Sequence, residues 1–239
     1  MSELSVLLIH GEFHGAWCWR DVVPALHSLG IAAHAIDLPG HGADPTPVRE
    51  VSLEGYAREV MSNMSDRSLM VGHGMGGYPM SAAAEAKPDL VAGLVYVSAF
   101  VPQAQKSISD LRAVAQTDGL KGKTELADEG HSQTICPSAV EDLLYHDCPP
   151  GTLTYSAARI NREPVAPMRT PLQSLDRAEG LPRFGVISEA DKVISAEFQA
   201  QMYADISEEN TERLGSSHAV FFSKPKELAE TIARFSTTL

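Results

Sequence analysis

A glycine, an aspartate and a histidine stand at the ends of three predicted strands. Gly74 lies in VGHGMGG, Asp191 in EADK and His218 in GSSH. Acyl-transfer enzymes can present a nucleophile, an acid and a histidine in this chain order, with the nucleophilic serine in a Gly-x-Ser-x-Gly turn between a strand and a helix. Gly74 occupies the serine position of that turn. The spacing therefore predicts an acid–histidine pair that faces an elbow without a nucleophile.

A second Gly-rich turn, HGEFHG, directly follows the first predicted strand. Such a turn would present backbone N–H groups to a developing oxyanion, and the expected donors are the N–H groups of Glu12 and Met75. We favour a Glu12 side chain that faces solvent while only its backbone N–H acts; a substrate contact or a second acid is the alternative. His10 and His14 have no third ligand at metal-binding spacing, so we favour structural hydrogen bonds for both and predict no metal site.

The elements that must position these residues alternate between strand and helix. Strands are predicted at 5–9, 31–37, 68–73, 90–99, 183–188 and near 211–215. Helical patterns lie near 16–29, 52–65 and 75–86, and a closing helix at about 225–236. The strand segments lack polar alternation, as is typical of parallel strands covered on both faces. This order predicts an α/β fold with a doubly wound sheet.

The middle of the chain differs in character from both ends. Hydrophobic density falls between residues 103 and 170, and prolines interrupt short helical pieces. An excursion from the carboxyl end of a strand lies over the ligand crevice of an α/β sheet. We therefore predict a lid at 103–170 on a core formed by 1–102 and 171–239. A surface insertion without a role is the alternative.

Composition excludes several classes of partner. The chain has 19 basic and 31 acidic residues and a net charge of −12, which repels nucleic acid and anionic membranes. Three cysteines without a CxxC pair argue against a disulfide framework or zinc site and favour a reducing, cytoplasmic location. No apolar run has the length of a signal peptide or a membrane span. The oligomeric state stays open, and a homodimer is compatible with the sequence.

The chain resembles the α/β-hydrolase superfamily, and within it the branch of plant methylesterases, polyneuridine aldehyde esterase, hydroxynitrile lyases and bacterial esterases. Motifs that carry the resemblance include VLLIHGEFHGAWCW, AIDLPGHGADP, VGHGMGG, LVYVSAFVP and GSSHAVFF. The resemblance implies a mostly parallel sheet flanked by helices, with a mostly helical cap. It makes Asp191 the triad acid, His218 the base and Gly74 the nucleophile position, and it implies a small ester-like substrate without a cofactor.

Two departures narrow this comparison. Lyases of the branch have a threonine at the position of Gly11 and a lysine at that of Ala219, so the esterase side is the closer match. The second departure is Gly74 itself. Five aromatic side chains are candidates for the pocket wall, although aromatic residues near a sheet are more often core: Phe13, Trp17, Tyr78, Phe100 and Phe221.

Glycine at position 74 leaves three interpretations open. In the first, the protein is an esterase, or a carbamate or amide hydrolase, whose serine was replaced by design so that it binds intact substrate. Alternatively, it is a natural variant in which Asp191 and His218 act as a general base in a lyase, isomerase or oxygenase-like reaction. The third interpretation is a small-ligand receptor without turnover. Glycine accepts strained backbone angles readily, so the elbow should keep its shape in all three.

Overall fold

The computed structural model describes residues 4–64, 67–115 and 118–239. Residue 65 of the predicted helix at 52–65, residues 116–117 of the predicted lid and residues 1–3 lie outside the described residues. The strands are β1 (Ser5–Ile9), β2 (Ala32–Ile36), β3 (Ser68–His73), β4 (Val91–Val97), β5 (Thr124–Ala127), β6 (Ser132–Ile135), β7 (Glu163–Pro164), β8 (Arg183–Ser188) and β9 (Thr211–Leu214). The α-helices are α1 (Val22–Ser28), α2 (Leu53–Ser62), α3 (Gly77–Ala86), α4 (Ile108–Val114), α5 (Pro137–Val140), α6 (Thr152–Ala157), α7 (Val165–Arg169), α8 (Asp176–Glu179), α9 (Ala196–Met202), α10 (Val220–Ser223) and α11 (Pro225–Ser236).

Six strands form one sheet in the order β2-β1-β3-β4-β8-β9. Every neighbouring pair in it runs parallel. β3 and β4 consist wholly of buried residues, because helices cover the sheet: α1 packs with α11, and α2 with α3. The predicted parallel sheet flanked by helices is confirmed, and its strands agree with the predicted segments to within about two residues at each end.

The strand order also locates a ligand crevice. The chain passes from β1 to β2 on one side and then to β3 on the other side of β1. Open parallel sheets bind ligands at such a reversal, outside the carboxyl ends of the strands. The turn after β1 contains HGEFHG and the turn after β3 contains VGHGMGG. The two chemistry-bearing turns thus meet at the crevice.

The segment 103–170, predicted as a lid, leaves the sheet after β4, and helices cover less than half of its described residues. It contains α4 to α7 and a π-helix at Glu141–Tyr145. It also contains a three-stranded antiparallel sheet, β5-β6-β7, that the sequence did not indicate. Its strands are two to four residues long and alternate weakly. They are too short to give a periodic signal. We call this segment the cap.

None of the helices in the described part of the chain combines the length and apolar character that crossing a lipid bilayer requires.

Candidate active site

The turn after β3 has the geometry of a nucleophile elbow. β3 ends at His73, a 3₁₀ turn covers Gly74–Gly76, and α3 begins at Gly77. Gly74 has φ +54°, a left-handed conformation that L side chains rarely adopt. A Cβ on Gly72 would lie 2.8 Å from the carbonyl carbon of Gly76. Glycine at these positions therefore allows the turn to close, as the sequence predicted.

Asp191 and His218 form a hydrogen-bonded pair beside this elbow. The His218 Nδ1 lies 2.7 Å from Asp191 Oδ2, and both residues are buried. A carboxylate can only accept, so Nδ1 carries the proton and Nε2 has its lone pair free. The Asp191–His218 pair is thus held in the tautomer that a general base needs.

The free nitrogen of His218 faces position 74. A Cβ built on Gly74 would lie 3.6 Å from His218 Nε2, an ordinary van der Waals distance. The same Cβ would lie 3.6 Å from the Cα atom of Gly11 and meet nothing closer among the described residues. A small side chain at position 74 would therefore fit, with its next atom in reach of the imidazole.

The acid is held by three donors in addition to the histidine. Asp191 Oδ1 accepts from the backbone N–H groups of Val193, at 2.7 Å, and Ile194, at 3.0 Å. Oδ2 accepts from Gln199 Nε2 at 3.0 Å. These hydrogen bonds fix the orientation of the carboxylate toward His218. The sequence did not single out Gln199, which lies on α9 eight residues after the acid.

Groups from the cap and the core hold the loop that carries His218. The Ser217 N–H donates to Asp147 Oδ2 at 2.7 Å, and the Ala219 N–H donates to the Leu144 carbonyl at 3.3 Å. The His73 Nε2–H donates to the His218 carbonyl at 2.9 Å. His73 therefore supports the loop that carries His218. Burial lowers the pKa of its imidazole well below the ordinary value.

The turn after β1 is fixed by its own histidines. His10 Nδ1 donates to the Gly11 carbonyl at 2.9 Å, and its Nε2 accepts from the Leu38 N–H at 3.1 Å. His14 Nδ1 lies 2.6 Å from the Glu12 carbonyl, and its Nε2 lies 2.8 Å from the Tyr145 hydroxyl. Both rings make the structural hydrogen bonds that the sequence favoured.

The Glu12 side chain is buried, so the expectation that it faces solvent is wrong. Its Oε2 forms an ion pair with Nη2 of Arg112, which reaches the turn from α4 of the cap. Burial raises the pKa of the Glu12 carboxyl group, and the positive charge of Arg112 opposes that rise. Sequence reasoning did not single out Arg112, because no feature of the α4 segment indicates that its partner is Glu12, 100 residues earlier in the chain.

The five predicted aromatic side chains lie in different surroundings. Phe100 lies next to the elbow, since its N–H donates to the Gly74 carbonyl at 3.0 Å, and its ring lies 5.4 Å from the Arg112 guanidinium carbon. Phe221 is fully buried against His73, with ring centroids 4.9 Å apart. The Trp17 ring lies 5.1 Å from the His14 ring. Phe13 and Tyr78 are buried.

A small cavity lies between the cap and the loop that carries the acid. Its walls are formed by Phe100, Arg112, Ala115, Asp118, Val193, Ile194 and Phe198. Val193 and Ile194 donate to Asp191, and Phe100 donates to Gly74. The cavity is therefore lined by residues that hydrogen-bond to Gly74 and Asp191, while Gly74, Asp191 and His218 are not among its lining residues. Among the described residues, no group of three or more histidine, cysteine, aspartate or glutamate side chains could hold a metal ion.

Relatives in sequence are esterases and hydrolases. Esterase PIR7B of Oryza sativa subsp. japonica is 29% identical over 259 residues, which cover 98% of this chain and 96% of that protein. A pyrethroid hydrolase of Sphingobium wenxiniae is 29% identical over 250 residues, covering 99% of this chain and 89% of its own.

Solved structures show the same architecture. A pyrethroid hydrolase from Sphingobium faniae JZ-2 superimposes with a TM-score of 0.88 at 28% identity, covering 98% of each chain. The family model described as "Alpha/beta hydrolase family" matches residues 6–231. Together with the parallel sheet and the Asp191–His218 pair beside a glycine elbow, this match leads to one conclusion: the chain belongs to the α/β-hydrolase family.

Proposed function

We propose that the chain is a carboxylic-ester hydrolase of the serine-hydrolase type in which Gly74 stands at the nucleophile position. One observation carries the proposal: His218, paired with Asp191, directs its free Nε2 toward a Cβ position 3.6 Å away that is open for a side chain. Carbamates and amides share the acyl chemistry and belong to the same substrate class. The esterase relatives support this assignment.

Each candidate residue has a role in this proposal. A hydroxyl at position 74 would give its proton to His218 Nε2 while its oxygen attacks the acyl carbon, and Asp191 would stabilise the resulting imidazolium. The N–H groups of Glu12 and Met75 would bind the oxyanion. The proton on Nε2 would then leave with the alcohol, and water would hydrolyse the acyl-enzyme by the same route in reverse.

Glycine removes the nucleophile and leaves the remaining groups in place. No acyl-enzyme can form at residue 74, so the chain binds and orients an intact ester. The oxyanion hole and substrate binding alone leave about 10³–10⁴-fold acceleration over water in related sites that lack a triad member. Apolar and aromatic residues around the elbow favour a small ester with a hydrophobic acyl or aryl part. Phe13, Trp17, Tyr78, Phe100 and Phe221 are the candidates for that contact.

A second candidate function uses the Asp191–His218 pair directly as a general base. The free lone pair on Nε2 and the open space at Gly74 favour it, because water or an acidic substrate C–H could enter where the serine would stand. Such a reaction would be of the lyase, isomerase or oxygenase type, or a slow hydrolysis. It predicts that His218→Ala abolishes whatever activity the glycine form possesses.

Introducing serine separates the two candidates. In Gly74→Ser, turnover of p-nitrophenyl acetate should rise by up to about 10⁶-fold, the cost of losing a triad nucleophile elsewhere. Gly74→Ala is the matched control, because it adds a Cβ at the same position without a hydroxyl. Gly30→Ser is the second control, because it adds a serine at another glycine with a left-handed backbone. An inert Gly74→Ser alongside an active glycine form would overturn the esterase proposal. Tight ligand binding without turnover by either form would instead indicate a receptor.

A further inference from the structure

Phe13, the residue after the proposed oxyanion donor Glu12, has a strained backbone held from both sides. Its φ is +63° although it is not glycine, a conformation that costs about 1–2 kcal/mol. Its N–H donates to Glu163 Oε2 at 2.9 Å, and its carbonyl accepts from the Asn161 N–H at 2.9 Å. Strain of this kind persists only where the surroundings impose it. Both restraints come from one short stretch of the cap.

Glu163 is the more unusual of the two partners. It lies in the two-residue strand β7, its side chain is fully buried, and Oε2 also lies 3.0 Å from His41 Nε2. Burial lowers the pKa of His41, but the interaction with Glu163 more than reverses this, so the pKa of His41 is raised. Glu163 Oε1 has no hydrogen-bond partner among the described residues.

A buried ion pair is a poor source of stability, because removing two charges from water costs about as much as their attraction returns. The position of this pair suggests another role. The peptide group between Glu12 and Phe13 is fixed at both ends: Glu163 accepts from its N–H, and the His14 ring binds its carbonyl at 2.6 Å. Fixing this peptide plane restrains the backbone of Glu12, which follows Gly11, the residue whose Cα lies 3.6 Å from a Cβ on Gly74.

We propose that Glu163 is a positioning residue for the oxyanion hole: by accepting the Phe13 N–H, it holds the turn that directs the Glu12 N–H toward position 74. This inference rests on the proposed hydrolase function. The cap then completes the oxyanion hole as well as covering the crevice. Without the carboxylate, the turn can relax toward negative φ at Phe13 and move the Glu12 donor away from the substrate oxygen.

Kinetics of Gly74→Ser with further substitutions test this role. Adding Glu163→Ala should lower kcat for p-nitrophenyl acetate by about 10²-fold, the usual effect of losing one oxyanion donor, with KM changed less than about twofold. An aryl trifluoromethyl ketone, whose hemiketal oxygen mimics the oxyanion, should bind about 10²-fold more weakly. Glu163→Gln keeps an acceptor oxygen of the same shape and should retain most of kcat. Glu125→Gln, at an exposed acid of the same small sheet, should change neither constant.

Amide exchange in the Gly74 protein tests the contact without catalysis. Exchange at the Phe13 N–H should quicken at least about tenfold in Glu163→Ala and stay unchanged in Glu125→Gln. If the Gly74→Ser enzyme is active and Glu163→Ala changes neither its kcat nor its affinity for the ketone, the positioning role is overturned and the proposed function is not. Unchanged Phe13 exchange would also overturn it. An inert Gly74→Ser enzyme would overturn the proposed function, and the exchange measurement would still decide whether Glu163 holds the turn.

Discussion

Position 74 should tolerate a side chain although it is fully buried, and the neighbouring glycine at 76 should not. In the part of the chain that the structure describes, the Cβ of Gly74→Ala meets no atom closer than 3.6 Å, so the substitution costs only the left-handed backbone, about 1–2 kcal/mol. The smaller entropy of the unfolded chain returns about 0.4–1 kcal/mol. The expected net loss in the free energy of unfolding is therefore about 1 kcal/mol, or a Tm lower by about 2–4 °C for a chain of this size.

Gly76→Ala provides the contrast. Its φ is ordinary, at −55°, but its Cβ would lie 2.7 Å from the His10 carbonyl oxygen and 2.8 Å from that of Ile9. Both oxygens belong to the backbone at the end of β1, so they cannot rotate away from the new Cβ as a flexible side chain could. We expect a loss of about 3 kcal/mol or more, at the upper end of overpacking effects.

Urea unfolding of both variants, followed by circular dichroism, measures these losses. Gly30→Ala serves as the reference for the backbone term, because Gly30 is exposed, has φ +78° and would place its Cβ in open space. Gly74→Ala should match Gly30→Ala to within about 0.5 kcal/mol. If Gly74→Ala proved as destabilising as Gly76→Ala, position 74 would not be a site prepared for a side chain, and the elbow argument would fail.

Three further predictions concern packing, charge and pH. Gly77→Ala should prevent correct folding, since its Cβ would lie 2.2 Å from a backbone oxygen. Gly180→Ala should be tolerated, because its Cβ would lie at least 3.5 Å from the described atoms around it. Soluble yield and Tm of the two variants measure the difference. Glu12→Ala should lower the free energy of unfolding by about 3–5 kcal/mol because it leaves Arg112 buried without its carboxylate. Adding Arg112→Met should restore most of that loss, and a double variant as unstable as Glu12→Ala alone would contradict the reasoning. Burial lowers the pKa of His14 to about 3, so unfolding at acidic pH lets this imidazole take up a proton. Between about pH 6.5 and 3, this proton uptake should lower the free energy of unfolding by about 1.4 kcal/mol for each unit that the pH falls. His14→Gln should reduce the measured slope of stability against pH by that amount.

Much of the fold and part of the site could be predicted because their signals are local. β1 and β3 are short apolar runs, and Gly-rich turns follow each of them directly, so their place at one edge of a parallel sheet follows from the order of elements. Asp191 and His218 each stand a few residues after a strand. Parallel strands bring their carboxyl ends to one edge, so the hydrogen bond between the two residues follows from topology.

The contacts between cap and core could not be predicted because their partners are far apart in sequence. Glu163 is 150 residues from the Phe13 N–H that it accepts, and Arg112 is 100 residues from Glu12. Neither residue lies in a periodic or capping pattern that would mark it as buried. The same separation in sequence explains why Glu12 was expected at the surface. A carboxylate is rarely buried unless it is paired, and the sequence did not identify Arg112 as the partner of Glu12.

Every role proposed for the site depends on residue 74 standing where an acyl-enzyme would form. A crystal structure of Gly74→Ser treated with an aryl phosphonate ester tests this position. We expect a bond from phosphorus to the new hydroxyl oxygen, formed with loss of the aryloxide. The phosphonyl oxygen should lie about 2.7–3.1 Å from the N–H groups of Glu12 and Met75, with His218 Nε2 beside the esterified oxygen. A variant that stays unmodified, or an adduct whose phosphonyl oxygen points away from both N–H groups, would refute this placement.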